Sequence, residues 1–234
     1  MIEACRIASP LGGGPLSPGR TGRTTWWNKV LDFYVTCFSE AHDLPEQWKN
    51  YARNGAGFAI GFRMDKLVRA ITPQPWWELS IPPLVHVARV RYDREEQKEW
   101  LRKMFDQYIG ALSDTDDVPQ AHIGLCADSI VKTLALHACV FKRPDFHPEQ
   151  EWRIVIETLG GASDVSFRPS TDMLIPYMKA PAQPCGGPLP IESIVIGPSM
   201  NQDASKLAVQ ALLDKKKHRG VNILPAVSWT LNAD

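Results

Sequence analysis

Two glutamates and an arginine alternate along one short segment of the chain, and together they could bind or polarise a substrate. Residues 149–157 read Glu-Gln-Glu-Trp-Arg-Ile-Val-Ile-Glu. In a β-strand, successive side chains point to opposite faces of the sheet, so Glu149, Glu151 and Arg153 would share one face. The apolar residues between them would supply a core face. The pattern predicts a strand with a charged side that can do chemistry and an apolar side that packs.

A solvated strand face explains the same pattern without any function. Arg153 would then relieve the repulsion between the two glutamates, and both carboxylates would lie in water, where such residues are mostly found. On the local pattern alone, this interpretation is favoured. A second observation elsewhere in the chain is needed to prefer a functional one.

A metal site is another alternative for the same region. Asp145, His147, Glu149 and Glu151 have the same parity, so an extended chain would place four oxygen or nitrogen ligands in one row. Pro144 and the proline at 148 favour a turn instead. A turn is therefore the favoured interpretation, and we assign no metal ligands.

Three residues upstream could complete a site with these carboxylates. Ser39 ends an earlier predicted strand, and Trp48 and Tyr51 follow on a predicted short helix. Residues three apart share one helix face, so both rings could meet the same ligand. The alternative is an amphipathic helix that buries both rings in the core.

The elements that must position these residues alternate in type without regular βαβ order. Strands are predicted at 34–39, 58–62, 84–92, 149–158, 172–177, 191–196, 221–224 and 226–231, and the longer helices at 94–112, 121–141 and 204–217. This order favours an α+β fold, a single domain with a mixed or antiparallel sheet packed against several helices. We expect strands 34–39, 84–92, 149–158 and 191–196 in one sheet, with helix 121–141 packed on it.

The first part of the chain has a different composition. Residues 9–25 are rich in Gly, Pro, Arg and Thr and contain few residues that could form a core. We predict a flexible lead over residues 1–25 and one α+β domain over residues 26–234.

Charge and cysteine content exclude several classes of protein. The 26 basic and 26 acidic residues balance, so no overall field draws the chain to nucleic acid or to an anionic membrane. No apolar run approaches the length that spans a bilayer, and the first residues lack the apolar core of a signal peptide. The five cysteines are scattered and lack zinc-site spacing. We expect reduced thiols in a cytoplasmic protein.

Several segments in a fixed order resemble a known bacterial family. They are 37–40 (Cys-Phe-Ser-Glu), 47–52 (Gln-Trp-Lys-Asn-Tyr-Ala), 57–62 (Gly-Phe-Ala-Ile-Gly-Phe), 87–92, 141–142 (Phe-Lys), 149–154 (Glu-Gln-Glu-Trp-Arg-Ile) and 191–198 (Ile-Glu-Ser-Ile-Val-Ile-Gly-Pro). The ordered set is similar to the family with the domain of unknown function numbered 2971. The resemblance covers most of residues 34–230.

The chain departs from that family at its front. The resemblance implies a first strand bearing Tyr and Arg or His, followed by an Asn-Asp-Pro turn, before the strand with Phe and Ser. Here only the Gly-, Pro- and Arg-rich lead precedes that strand. We therefore expect that the family's first strand is missing, either lost or placed upstream of Met1, and only Arg6 and Arg23 stand in its place.

A strand-borne serine followed by Glu-x-Glu on a later strand also resembles the ordered motifs of the ADP-ribosyltransferase superfamily. That resemblance implies that Glu151 is the catalytic carboxylate, which stabilises the ribosyl cation as nicotinamide leaves NAD. It implies that Glu149 orients the acceptor and Ser39 supports the site. Arg153, Trp48 and Tyr51 are then candidates for binding NAD, with one of the aromatic rings stacking on nicotinamide.

The leading hypothesis from the sequence is therefore an NAD-dependent enzyme of the ADP-ribosyltransferase type. Its acceptor is unidentified and could be a macromolecule. A non-catalytic interaction or regulatory domain is the alternative, favoured by a missing first strand. A metal-dependent hydrolase or nuclease is the third.

Overall fold

The chain divides into two compact units, each built around its own sheet. A computed structural model describes residues 2–7, 31–71, 84–113, 120–159, 165–169, 173–180 and 189–227. One unit comprises Met1–Ile2, Ser39–Ser80 and Ala180–Asp234, and the other comprises Glu3–Phe38 and Ile81–Lys179. We call them the first and the second unit.

Helices and strands follow one another in an irregular order. Along the chain they are β1 (Ile2–Ile7), β2 (Leu31–Ser39), α1 (Pro45–Tyr51), β3 (Phe58–Phe62), α2 (Met64–Ile71), β4 (Leu84–Arg89), α3 (Arg94–Ser113), α4 (Gln120–Ala138), a 3-10 helix (Pro144–Glu149), β5 (Glu151–Leu159), β6 (Val165–Pro169), β7 (Leu174–Ala180), β8 (Ile191–Ile196), α5 (Gln202–Lys215) and β9 (Asn222–Pro225). The predicted α+β class, with antiparallel and mixed sheets and several helices, is confirmed. None of the described helices combines the length and the apolar character needed to cross a membrane.

The second unit is built on a six-stranded sheet with the order β4-β5-β2-β1-β7-β6. The pairs β1–β2, β4–β5 and β6–β7 are antiparallel. Helix α4 and the turn after it pack on this sheet, where buried Cys139 and Val140 meet Phe33, Val35 and Val155. The predicted packing of a helix near 121–141 on this sheet is confirmed.

Strand β5 is buried on both faces over its middle. Val155 has no exposed surface, and Ile154 and Ile156 on the opposite face are 1% and 3% exposed. Trp152, at the start of the strand, is only half-buried. The apolar side of the predicted strand therefore packs as expected at Ile154 and Ile156, and the charged side is buried as well.

The first unit contains a three-stranded sheet with the order β3-β8-β9. Strand β8 pairs antiparallel with β3 and parallel with β9. Helix α5 covers it, because buried Val209 and Leu213 pack with Ile194. Gly197 follows β8, and a Cβ there would lie 2.1 Å from the carbonyl oxygen of Gly55, so only glycine fits this approach.

Two predictions about the strands were wrong. Strand 191–196 does not join the sheet of β2, β4 and β5, because β8 pairs with β3 and β9. A strand also precedes β2: residues 2–7 form β1, in which Cys5, Arg6 and Ile7 pair with Val35, Tyr34 and Phe33. This differs from the flexible lead expected over residues 1–25, of which residues 8–25 lie outside the described residues.

Candidate functional site

The two glutamates of the Glu-x-Glu segment lie on different elements. Glu149 is the last residue of the 3-10 helix Pro144–Glu149, and β5 begins at Glu151. Between them Gln150 adopts the left-handed conformation, with φ 44° and ψ 52°. The prediction that Glu149 begins a strand was wrong, because prolines at 144 and 148 favour the turn over an extended chain. Left-handed backbone in a residue other than glycine is strained, and such strain is concentrated at functional sites.

Lys142 holds the two glutamates together. Its Nζ donates to Glu151 Oε1 at 2.6 Å and to Glu149 Oε2 at 2.8 Å. All three side chains are largely buried, with exposed fractions of 18% for Lys142, 15% for Glu149 and 8% for Glu151. Lys142 thereby balances one of the two negative charges and relieves their mutual repulsion.

Arg153 occupies the other oxygen of Glu151. Its Nε and one terminal nitrogen donate to Glu151 Oε2 at 2.9 and 2.7 Å, and its second terminal nitrogen donates to the carbonyl oxygen of Cys139 at 2.6 Å. The guanidinium thus links β5 to the turn after α4. Charge-assisted bonds of this kind are among the strongest hydrogen bonds in proteins.

Glu151 is ionised and buried. Its burial works to raise the pKa of the carboxyl group, but the hydrogen bond from Lys142 and the charge of Arg153 outweigh burial and hold the pKa of Glu151 below its usual value. The residue is only 6% exposed. Glu151 does not lie on the solvated strand face that the local pattern favoured, because Lys142 and Arg153 cover its carboxylate.

Tyr92 fixes the backbone at the start of β5. Its hydroxyl oxygen accepts a hydrogen bond from the backbone N–H of Glu151 at 2.8 Å, and its ring packs edge-on against His147. The bond secures the point where the chain leaves the left-handed residue and enters the strand. The carboxylate of Glu151 is therefore held at both its backbone and its side chain.

A shallow hollow of about 400 Å³ borders Lys142. We call it the basic hollow; it is lined by Arg94, Gln97, Phe141, Lys142, Arg143, Pro144 and Phe146. Lys142 Nζ and the Arg143 guanidinium lie 4.5 and 5.2 Å from the centre of the Phe146 ring. Three cations, two phenylalanine rings and no carboxylate make this lining suited to an anionic ligand with an aromatic part.

The other predicted site residues lie in the first unit. The Ser39 hydroxyl donates to the carbonyl oxygen of Ala41 and accepts from the backbone N–H of Ala41, both at 3.1 Å, and so closes a turn. Trp48 is 3% exposed, and its Nε1 donates to Asp43 Oδ1 at 2.6 Å. Tyr51 is 72% exposed. The two rings therefore do not form one stacking surface, and Trp48 has the role of a core residue.

Arg6 and Arg23 are the two arginines that the sequence offered in place of the family's first strand. Arg6 lies in β1 and pairs with Tyr34 of β2, while β2 is also the neighbour of β5. Arg23 lies outside the described residues. The strand order therefore places β1, β2 and β5 side by side in the six-stranded sheet.

No group of three or more His, Cys, Asp or Glu side chains in the described part of the chain could hold a metal ion. The row that would have been formed by Asp145, His147, Glu149 and Glu151 does not exist, because the first three lie in the 3-10 helix. The described cysteines 37, 126 and 139 are free thiols.

Lys142 is the site residue that the chemical interpretation of the sequence missed. Lys142 lies only seven residues before Glu149. It was overlooked because the interpretation considered only side chains on the predicted strand that carries the two glutamates. The pair Phe141–Lys142 was among the segments of the family resemblance. A basic residue fewer than ten positions before two clustered acids is the signal that points to it.

Comparison with known proteins supports one relationship. No curated protein and no solved structure matches the chain. The family model described as Protein of unknown function (DUF2971) matches residues 47–154, a little less than half of the chain, and this segment includes Lys142, Glu149, Glu151 and Arg153. The match supports the predicted resemblance to the DUF2971 family over the residues that form the candidate site.

Proposed function

We propose that the chain is an NAD-dependent enzyme of the ADP-ribosyltransferase type, with the Glu149–Glu151 pair as its carboxylates and the basic hollow as its dinucleotide site. The observation that carries this proposal is Lys142, which lines the hollow and also contacts both glutamates. One side chain thus joins a surface suited to a dinucleotide with carboxylates suited to its chemistry.

The lining of the basic hollow supports a dinucleotide ligand. The diphosphate of NAD carries two negative charges, which Arg94, Lys142 and Arg143 could share. An aromatic ring of the ligand could stack on Phe141 or Phe146. The positive charge of the basic hollow is a local feature of this surface, because the whole chain has no net charge.

Lys142 provides a way to activate Glu151. When the diphosphate binds, Lys142 exchanges its carboxylate partners for phosphate oxygens, and Glu151 Oε1 becomes able to accept from a ribose hydroxyl. The ionised carboxylate then stabilises the positive charge that develops on the ribose as the bond to nicotinamide breaks. Arg153 keeps hold of Oε2, so the carboxylate stays in place during the exchange.

The strand order supports the same proposal. Strand β5, which begins at Glu151, lies beside β2, and β2 lies beside β1, which carries Arg6. The proposal also extends the relationship to the DUF2971 family, matched over residues 47–154, to the whole chain. It further takes the protein to be bacterial and cytoplasmic. The three free thiols among the described residues are typical of a reducing compartment.

Nicotinamide release from NAD by the purified protein tests the proposal. We expect release with and without a metal chelator, because the proposed chemistry uses the carboxylate of Glu151 and no metal ion. The matched binding experiment uses Lys142→Gln, which we expect to weaken NAD binding about tenfold or more through loss of a charge-assisted contact. Lys98→Gln is the control, since Lys98 pairs with Glu95 on the exposed side of α3.

A non-catalytic interaction domain is the second candidate, and one observation favours it. Both oxygens of Glu151 already accept from cations, which is the usual arrangement of a structural ion pair. NAD binding without nicotinamide release would support this candidate over the enzyme. Release that stops on chelation would instead support the metal-dependent hydrolase.

A further inference from the structure

His137 is held in one tautomer by its surroundings. Its Nδ1 lies 2.7 Å from the backbone carbonyl oxygen of Thr133, and because a carbonyl oxygen can only accept, Nδ1 carries the proton. The other nitrogen, Nε2, is then an acceptor. The ring stacks on Trp100 with 3.4 Å between ring centres and 21° between their planes. The imidazole is therefore fixed in both tautomer and orientation.

The surroundings of His137 also keep it neutral. Burial of the ring and the nearby charges of Arg91 and His86 lower the pKa of His137, and they outweigh the hydrogen bond to Thr133. At neutral pH, Nε2 is therefore unprotonated. A fixed and neutral imidazole can accept a hydrogen bond without prior loss of a proton.

His137 lines a cleft of about 580 Å³ in the second unit, which is separate from the basic hollow. We call it the histidine cleft. Its walls include Tyr92, Trp152 and Gln150 together with His137, and the charged residues Arg89, Arg91, Asp93 and Glu96 also line it. The half-buried Trp152 ring offers a flat surface, and the Gln150 amide offers both a donor and an acceptor. The volume lies within the range of small-molecule sites in proteins.

We propose that the histidine cleft binds a planar heteroaromatic molecule with an exocyclic amino group, of the purine class, and that the amino group donates to Nε2 of His137. The half-buried ring of Trp152 takes the flat ring of the ligand, and the Gln150 amide contacts the ring edge. This inference does not require the basic hollow to be the NAD site, because none of these residues lines that hollow.

Calorimetric titration with two matched ligands tests the proposal. Adenosine carries an amino group with N–H donors, whereas N6,N6-dimethyladenosine has none. We expect adenosine to bind the wild type and the dimethyl ligand to bind about tenfold more weakly, from the loss of one hydrogen bond to a fixed acceptor. His137→Phe keeps a ring against Trp100 but removes the acceptor, so it should weaken adenosine about tenfold and leave the dimethyl ligand unchanged.

Three outcomes would overturn the proposal. The first is no adenosine binding by the wild type, and the second is equal affinity for the two ligands. The third is a loss of adenosine affinity in Lys142→Gln but not in His137→Phe, which would place the ring in the basic hollow. If His137→Phe does not fold, the imidazole resonances of wild-type His137 replace it, and they must shift on addition of adenosine.

Discussion

Nζ of Lys142 lies 2.6 Å from Oε1 of Glu151, with both side chains more than four-fifths buried. Lys142 lies in the turn after α4, and Glu151 is the first residue of β5. The ion pair therefore fastens the turn to the strand at the point where the basic hollow meets the carboxylates. Stability and function are both expected to depend on this contact.

Removal of the charge at Glu151 should destabilise the second unit. Glu151→Gln leaves Lys142 and Arg153 with reduced compensation in a buried place, and breaking a buried ion pair typically costs about 3 to 5 kcal/mol. Urea unfolding should show a loss of about 3 kcal/mol in the free energy of unfolding. Lys98→Gln, on the exposed side of α3, should change it by less than about 0.5 kcal/mol. Equal losses in the two variants would contradict the account.

Stability should fall in acid because of the same carboxylate. The pKa of Glu151 in the folded chain is lower than its ordinary value of 4.5, so the folded state favours the ionised form. Its contribution to stability is therefore complete above about pH 4.5 and is lost as the pH falls through the lowered folded pKa. Unfolding measured from pH 6 downward to about pH 3 should show a smaller decline in Glu151→Gln than in the wild type.

Trp48 and Tyr51 should differ sharply in their importance for folding. Trp48 is buried and bonded to Asp43, whereas Tyr51 is largely exposed. Trp48→Ala should cost about 3 to 5 kcal/mol in the free energy of unfolding. Tyr51→Ala should cost less than about 0.5 kcal/mol. If NAD affinity depended on Tyr51 and not on Lys142, that result would support the stacking role that the sequence predicted for Tyr51.

Alanine substitutions at two glycines should change the stability of the protein in opposite directions. Gly197→Ala would place a Cβ against the carbonyl oxygens of Gly55 and Gly57, so we expect a loss of at least about 2 kcal/mol. Gly110 lies in α3, and nothing lies within 4 Å of a Cβ built there. Gly110→Ala should therefore stabilise the protein by about 0.5 to 1 kcal/mol. Thermal unfolding of both variants checks this pair.

The local elements of the chain were predictable where side-chain periodicity was clear. Strand β3 has the predicted bounds, and α3 extends only one residue beyond its predicted end at Leu112. Strand β1 was missed because Cys5, Arg6 and Ile7 do not form a long alternating pattern, and their strand is defined by pairing with β2. The separation of β8 from the main sheet was also missed, because strand partners depend on tertiary pairing.

The candidate site was predictable in its carboxylates and not in its environment. Alternation correctly placed Glu151 and Arg153 on one face of β5. The pattern could not show that α4 and its following turn cover that face, because a charged row is usually solvated. Two cations make its burial possible, and one of them, Lys142, reaches the carboxylates from another element.

The most direct test of the account compares nicotinamide release from NAD by the wild type, Glu151→Gln and Glu149→Gln, each verified as folded at the assay temperature. We predict release by the wild type and a loss of about a hundredfold or more in Glu151→Gln, with NAD binding retained, because glutamine keeps the shape of the side chain but lacks the charge that stabilises the ribosyl cation. Glu149→Gln should release nicotinamide by hydrolysis nearly as the wild type does and should be weaker only in transfer to an acceptor. Equal release by wild type and folded Glu151→Gln, or no release by any of the three, would contradict the account.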